Sequence, residues 1–450
     1  MNKLSVLSAA TLAMTAGWIG LQAQDSKIPA ASIAKGQKAF FNAADAAPGK
    51  ARIITPKDLP APGATKSTAN FPNVAKRGNK MPVAPKGFTV ELYATGLTEP
   101  RQIKTAPNGD LFFTEKRSGE LKIARGVKGG KAESISLFAS GLDRPWGIAF
   151  YPAANPQWVY VGNAGSVVRF AYKTGDLKAS GAAQKLADLP IRKADPQAKG
   201  VAPDYHDTRD LAFSKDGNSL FVSVGSGSNI NDPDIDGGEK NRAAVLEYRP
   251  DGTFVGVYAS GIRNPVGLGV SPVSGEVWVS VNERDELGDN LVPDYVSSVQ
   301  KGGFYGWPYF YIGGNADARL KGAHSELKSK VIVPDVLIQP HSASLGFSWY
   351  TGTAFPAEYR GDLFVAEHGS WNRANRSGAE VIRIPLNPQG KASGVYQDFL
   401  TGFADKDGTL WGRPASVAVG NDGALYITDD GSMSIWRVSY SGARAPEAKK

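Results

Sequence analysis

Residues 206–225, HDTRDLAFSKDGNSLFVSVG, read as a short apolar strand, a turn built on Asp-Gly-Asn, and a second strand of β-branched and aromatic residues. The same unit recurs along the chain. It appears as GLTEPRQIKTAPNGDLFFTE at 96–115, GLDRPWGIAFYPAANPQWVYVGN at 141–163, GIRNPVGLGVSPVSGEVWVSVN at 261–282, HSASLGFSWYTGTAFPAEYRGDLFVAEHG at 341–369 and WGRPASVAVGNDGALYITDD at 411–430. Their second strands pass through Phe112, Val159, Phe221, Val277, Phe364 and Tyr426, roughly 60 residues apart, which suits four strands with insertions. No unit can bury its apolar face alone, and radial closure shields the strand edges. The expected fold is therefore all-β, a six-bladed β-propeller of four-stranded antiparallel blades over residues 82–440.

In a propeller the strand that opens each blade lies nearest the axis, so the loops feeding these strands meet at one end of the central channel. Those loops carry Arg101, Arg144 with Trp146, His206 with Arg209, Arg263 with Asn264, His341, and Arg413. A ring of Arg and His from separate blades suits a planar polyanion, because guanidinium forks pair with carboxylates. An Arg at a blade end also serves to bond free carbonyls, so each position carries two readings.

Before the repeats, residues 1–23 place Lys3 ahead of an apolar run and read as a secretory leader, implying a periplasmic or secreted protein with no membrane span after cleavage. Residues 24–81 are rich in Ala, Pro, Lys and Gly and read as an extension, and 441–450 as a loose tail. There is no cysteine among 450 residues, which excludes disulfides, thiolate zinc sites, iron–sulfur clusters and covalent c-type haem. Any redox role thus needs another cofactor and an external electron acceptor. The net charge of +8 favours anionic ligands, but Lys and Arg are scattered rather than striped, which argues against nucleic acid.

Of the four histidines, His206, His341 and His368 sit at blade heads or second-strand ends, whereas His324 falls in a polar insertion. Imidazole suits proton abstraction near neutral pH, and His206, with Asp207 and Arg209 beside it, is the expected general base. A segment with Asp232, Asp234, Asp236 and Gly237 starts like an EF-hand loop but has Ala243 where the closing Glu belongs.

Five runs, YHDTRDLAFSKDGNSLFVSVGSGSN (205–229), GIRNPVGLGV (261–270), VNERDELGDNLVPDY (281–295), GGFYGWPYF (302–310) and AEHGSWNR (366–373), give the chain a clear likeness. It resembles the soluble PQQ-dependent glucose/sorbosone dehydrogenase family, and more closely its sorbosone branch. The resemblance implies pyrroloquinoline quinone (PQQ) with Ca2+ over the channel, and a sugar, sugar aldehyde or related polyol as substrate. It makes His206 the base, sets Arg263 beside the reactive carbonyl, and gives Asn264, Arg373 and Arg413 to the cofactor edge. Calcium in that family is held partly by main-chain oxygens of a loop that aligns with 282–289, implying Arg284, Asp285 and Asp289 as donors. The chain departs from the glucose enzymes where Ser226 replaces the acid that orients the base, leaving Asp207 or nothing for that task. Ala415 replaces a carboxylate-binding arginine and Leu142 a substrate-side glutamine, and Arg144 and Trp146 are candidates to compensate; Arg209 is a further candidate cofactor contact. Electrons would pass to a soluble cytochrome or quinone. Two other readings remain: a lactonase-type propeller hydrolase, which needs acidic residues at several heads, and a non-catalytic carbohydrate-binding propeller.

Overall fold

The computed structural model describes residues 27–192 and 206–442; the expected leader at 1–23 and residues 443–450 of the expected tail lie outside the described residues. Six antiparallel sheets are arranged around an axis, each opened by an innermost strand: Pro100–Thr105, Ile148–Tyr151, Leu211–Phe213, Pro265–Val270, Ser344–Trp349 and Pro414–Val419. We number the blades 1 to 6 in that order. The protein is a six-bladed propeller of four-stranded blades, as the repeats predict.

The second strands, such as Leu111–Glu115, Val277–Val281 and Leu363–Glu367, are buried along their whole length. They are sandwiched between neighbouring sheets, which is why they read as continuous apolar runs rather than alternating ones. The core lies in the wedges between blades: Phe112 and Ile123 of blade 1 pack on Ile148 and Val159 of blade 2. Trp278 and Val296 of blade 4 likewise meet Phe347 and Val365 of blade 5.

Blade 6 is completed by a strand from before the first repeat. Phe88–Thr95 pairs antiparallel with Ser434–Tyr440, from Phe88 opposite Tyr440 to Thr95 opposite Ser434. Phe88 also sets its ring edge-on to Phe355, Tyr359 and Phe399 across the wedge to blade 5, and to Tyr440 in its own sheet. The start and the end of the propeller are thereby joined in one sheet, with Phe88–Thr95 as its outer strand.

The extension is built into the same body. Ala51–Ile53 pairs antiparallel with the outer strand Val395–Leu400 of blade 5 and in parallel with Ile33–Ala34, so that blade carries two added strands. Arg52 enters the sheet edge fully buried, ion-paired with buried Asp398, and stacks on Phe41. The chain then crosses the end of the propeller that carries the blade heads. Gly63 N–H donates to Leu287 O, Asn70 N–H to Trp371 O and Ala75 N–H to Leu410 O, touching loops of blades 4, 5 and 6 in turn. Removing one member of a buried ion pair strands the other's charge at a cost of about 3–5 kcal/mol. Asp398→Ala is therefore expected to lose about that much stability in urea unfolding, and a loss under about 1 kcal/mol would show that this pair does not anchor the extension.

Candidate active site

Hairpin register decides which residues reach the channel mouth. Pro100 pairs with Glu115, Pro265 with Val281 and Pro414 with Asp429, so the start of each first strand lies beside the end of the second. Both sets converge. One cavity of about 540 Å³ is lined by the head residues Arg101, His206, Arg263, Asn264, His341 and Arg413 and by the second-strand followers Lys116, Asn282 and His368. That volume lies within the roughly 300–1,000 Å³ typical of small-molecule sites.

His206 stands just before the first strand of blade 3. Its Nδ1 lies 2.9 Å from Ser226 O and 3.1 Å from Ser226 Oγ. Ser226 Oγ spends its own proton on Ser228 O at 2.6 Å, so both Ser226 oxygens act as acceptors toward the ring. Nδ1 therefore carries the proton, and Nε2 is the basic nitrogen. Burial, then the positive charge of Arg263, push the imidazole well below its usual range, and Arg242 and Arg209 add to this against the Ser226 bond. Gly225 makes the approach possible, since a Cβ there would lie 2.4 Å from Asn264 Oδ1 and 2.6 Å from His206 Cβ. Any larger residue would part the two side chains.

The cations of the mouth are held by three carboxylates. Asp430 accepts from Arg101 and from His368 Nε2 at 2.8 Å. Burial alone would raise this carboxyl, but His368 and Arg101 overcome it and hold it low. Burial and Arg413 in turn keep His368 neutral, lowering it to about 4. Asp207 bridges Lys116 at 3.0 Å and Arg144 at 3.1 Å. Asp285 accepts from Arg263 Nη2 at 3.0 Å, while Arg263 also donates to the carbonyls of Asn229, Asn282 and Glu283. Arg413 donates Nε to His368 O and Nη2 to Gly369 O. Burial lowers its guanidinium to about 10, which leaves it cationic at neutral pH. Two buried polar atoms at the mouth, Arg101 Nε and Asn264 Oδ1, take no protein partner.

Several expected site residues turn elsewhere. Arg209 is fully buried and donates to the carbonyls of His206, Thr208 and Pro190, so it holds the loop that carries His206 instead of facing the cavity. Arg144 pairs with Asp143 and Asp207 outside the lining, and Trp146 lies beneath the Arg101 guanidinium at 4.8 Å. Arg373 donates to Asn290 Oδ1 and is also outside the lining, with Nε and Nη1 buried and unpartnered. Of the acids in the loop 282–289, Glu283 and Asp285 line the cavity and Glu286 and Asp289 do not. The Arg284 guanidinium is enclosed by Glu283, Asp317 and the Pro308 and Phe310 carbonyls. Asp285 O, expected as a calcium donor, accepts from Arg319 Nη1 at 3.0 Å, and Asp289 accepts from Ala374 N–H. Asp207 does not orient the base, because its two cations claim it. Asp236 caps the turn at Gly238 and pairs with Arg192, so the EF-hand-like segment does not close; Asp232 and Asp234 meet His324 instead.

Other lining residues were not singled out from the sequence. Lys116 and Asn282 follow second strands, a position whose relevance appears only once the hairpin register is known, and Asp430, behind the lining, follows another. Asp294 opens the third strand of blade 4; its oxygens accept from Glu283 N–H and Ala343 N–H, and burial lifts its carboxyl to about 7. Phe71 and Pro72 come from the extension.

Fold and site define a propeller that gathers cations and a neutral imidazole around an axial small-molecule cavity. A family model described as Glucose / Sorbosone dehydrogenase matches residues 97–437, and the chain belongs to that family. It is 24% identical to an aldose sugar dehydrogenase of Escherichia coli (strain K12) over 388 residues, 79% of this chain and 94% of that one. Its fold matches the holo PQQ domain of pyranose dehydrogenase from Coprinopsis cinerea with a TM-score of 0.66 at 21% identity, over 82% of this chain and 100% of that one. It also matches the calcium structure of a Trichoderma reesei carbohydrate-active enzyme of family AA12, with a TM-score of 0.67 at 18% identity, over 83% and 100% of the two chains.

The placement of Arg209 is testable. Arg242 also bonds the His206 and Pro190 carbonyls, so Arg209→Met orphans chiefly Thr208 O. Leaving one such group unpaired costs about 1–3 kcal/mol. The melting temperature should fall accordingly while anion binding at the mouth is kept; lost anion binding at unchanged stability would return Arg209 to the cavity.

Proposed function

We propose that the protein is a PQQ-dependent dehydrogenase that oxidises a sugar, sugar aldehyde or related polyol, with His206 as the base. The convergence of His206, Arg101, Arg263 and Arg413 from four blades on one cavity carries this reading. The cavity suits a planar tricarboxylate: cations line its rim, and Arg101 Nε and Asn264 Oδ1 are buried there without protein partners. Calcium belongs to the same proposal. Glu283, Asp285 and Asp294 on the wall supply the oxygen-rich, acidic surface that this hard cation takes.

Bound quinone would supply a carbonyl carbon that accepts hydride from the substrate. The chain's own part is to place and deprotonate the alcohol. Ser226 fixes the His206 ring with Nδ1 protonated, so Nε2 receives the hydroxyl proton. Burial and Arg263 keep the imidazole unprotonated at neutral pH, so the base is ready in the resting enzyme. Arg263 spends its N–H groups on Asn229, Asn282, Glu283 and Asp285, and therefore acts on negative charge in the cavity by its field, from a fixed position. Arg101 and Arg413 provide anion contacts on the far side of the mouth. Electrons leave to an external carrier, a soluble cytochrome or quinone, and the leader expected at 1–23 places the enzyme in the periplasm or outside the cell.

The test is dye reduction by purified protein with a panel of aldoses and osones, with and without added PQQ and Ca2+; no quinone-dependent reduction on any of them overturns the assignment. His206→Ala should keep quinone binding and lose about 10²- to 10⁴-fold in kcat, and an unchanged kcat would remove the base. The pH profile gives an independent check. The required form is neutral imidazole and its folded pKa is depressed, so kcat/KM should hold through pH 6.5 and fall only at lower pH, as the ring gains a proton. An acid limb centred above pH 6.5 would contradict the environment described for His206.

A further inference from the structure

Resting on that reading, we propose that the extension builds a second sugar subsite beside the redox cavity, so that the preferred substrates are neutral oligosaccharides rather than single sugars. The feature that carries it is Phe71. This ring is 71% exposed, the second most exposed of the large apolar residues after Ile235, yet it is held in place. It stacks on Trp371 with centroids 4.9 Å apart and planes at 14°. Its backbone is clamped on both sides: Asn70 N–H donates to Trp371 O, and the Arg376 guanidinium donates to Asn70 O, Asn70 Oδ1 and Phe71 O. An exposed aromatic fixed so firmly at the rim of a polar cavity has no folding reason to be there. It is a flat apolar surface offered to a ligand.

Phe71 lines two cavities. On one side is the redox cavity; on the other is a second of about 400 Å³ between the extension and the loops of blades 5 and 6. Asn42, Asn73, Asn375 and Thr409 line this second space, together with Asp407 and the cations Arg376 and Lys406. Amide and hydroxyl groups both donate and accept, which matches vicinal hydroxyls, each of which does the same. A pyranose ring has a polar rim of hydroxyls and an apolar face of C–H bonds, so an amide-lined hollow against an aromatic face is complementary to it. Because the two cavities share the Phe71 wall, a molecule of linked rings can set its terminal unit by His206 and the next unit past Phe71. The whole device lies before residue 97, where the family match begins, or in the loops it touches. It therefore adds selectivity to the shared redox site without altering the residues around the base.

The experiment compares kcat/KM for glucose, maltose, cellobiose and their trisaccharides in the quinone-loaded enzyme, for the natural chain and for Asn73→Ala/Asn375→Ala. Both asparagines are exposed, so folding is preserved. In the natural chain at least one oligosaccharide series should exceed glucose by about tenfold, the scale of one lost ring's contacts. In the double variant the ratio of oligosaccharide to glucose should fall by about the same factor, and Phe71→Ala should lower that ratio further. Equal losses on glucose and on oligosaccharides, or an unchanged ratio, overturn the subsite. A second readout separates this from the redox reading: calorimetry with maltotriitol and cellotriitol, which lack a reducing end. Binding of either to the natural chain and its loss in the double variant support the subsite even if no sugar reduces the dye; equal binding, or none, overturns it.

Discussion

Everything at the functional end of the molecule depends on ring closure. Each wedge of core is shared by two blades, so the axis exists only if the last sheet meets the first. Pairing of Phe88–Thr95 with Ser434–Tyr440 performs that closure. Because the closing strand precedes blade 1 and the strand it joins ends blade 6, the pairing ties the start of the ring to its end. His206, Arg263 and Arg413, from blades 3, 4 and 6, line one cavity because the ring is closed.

Bringing four cationic side chains to one mouth, with Arg144 just outside it, would be unfavourable without compensation. Asp430, Asp207 and Asp285 meet this by placing carboxylates among them, the first two bridging separate blades. Their effect is positional as much as energetic. A guanidinium held by a carboxylate and by main-chain carbonyls cannot follow a ligand, so the field inside the cavity is preset rather than assembled on binding. The histidines respond in kind: His206, His341 and His368 are all pushed toward the neutral form by burial, with neighbouring arginines adding to the shift.

The blades and the convergence of their heads were legible because a repeat in sequence becomes a repeat in angle. Arg101, His206, Arg263, Asn264 and Arg413 accordingly line the cavity. Side-chain direction was not legible. Arg209 and Arg413 occupy comparable heads, yet one finds three carbonyls behind it and the other keeps to the lining; that depends on neighbouring loops distant in sequence. Nor was it legible which acids of the loop after blade 4's second strand face the cavity: Glu283 and Asp285 line it, while Arg263, Arg284 and Arg319 pair with Asp285, Glu283 and Glu286. The closing strand and the extension's place at the rim escaped because neither repeats.

Ser226 shows how a departure from the family pattern is absorbed. A carboxylate beside an imidazole orients the ring and also stabilises its protonated form, raising its basicity. Ser226 keeps the first function and gives up most of the second: a carbonyl can only accept, so it selects the tautomer as firmly as an acid would, but it brings no charge. With Arg263, Arg242 and Arg209 nearby, the protonated ring is then disfavoured. A base of that kind takes a proton poorly on its own and well when negative charge leaves the substrate at the same time. In the proposed reaction, with His206 as base, this ties proton removal more closely to hydride departure, and makes fixed placement of the substrate ring, on which that timing depends, the more important task of the cavity wall.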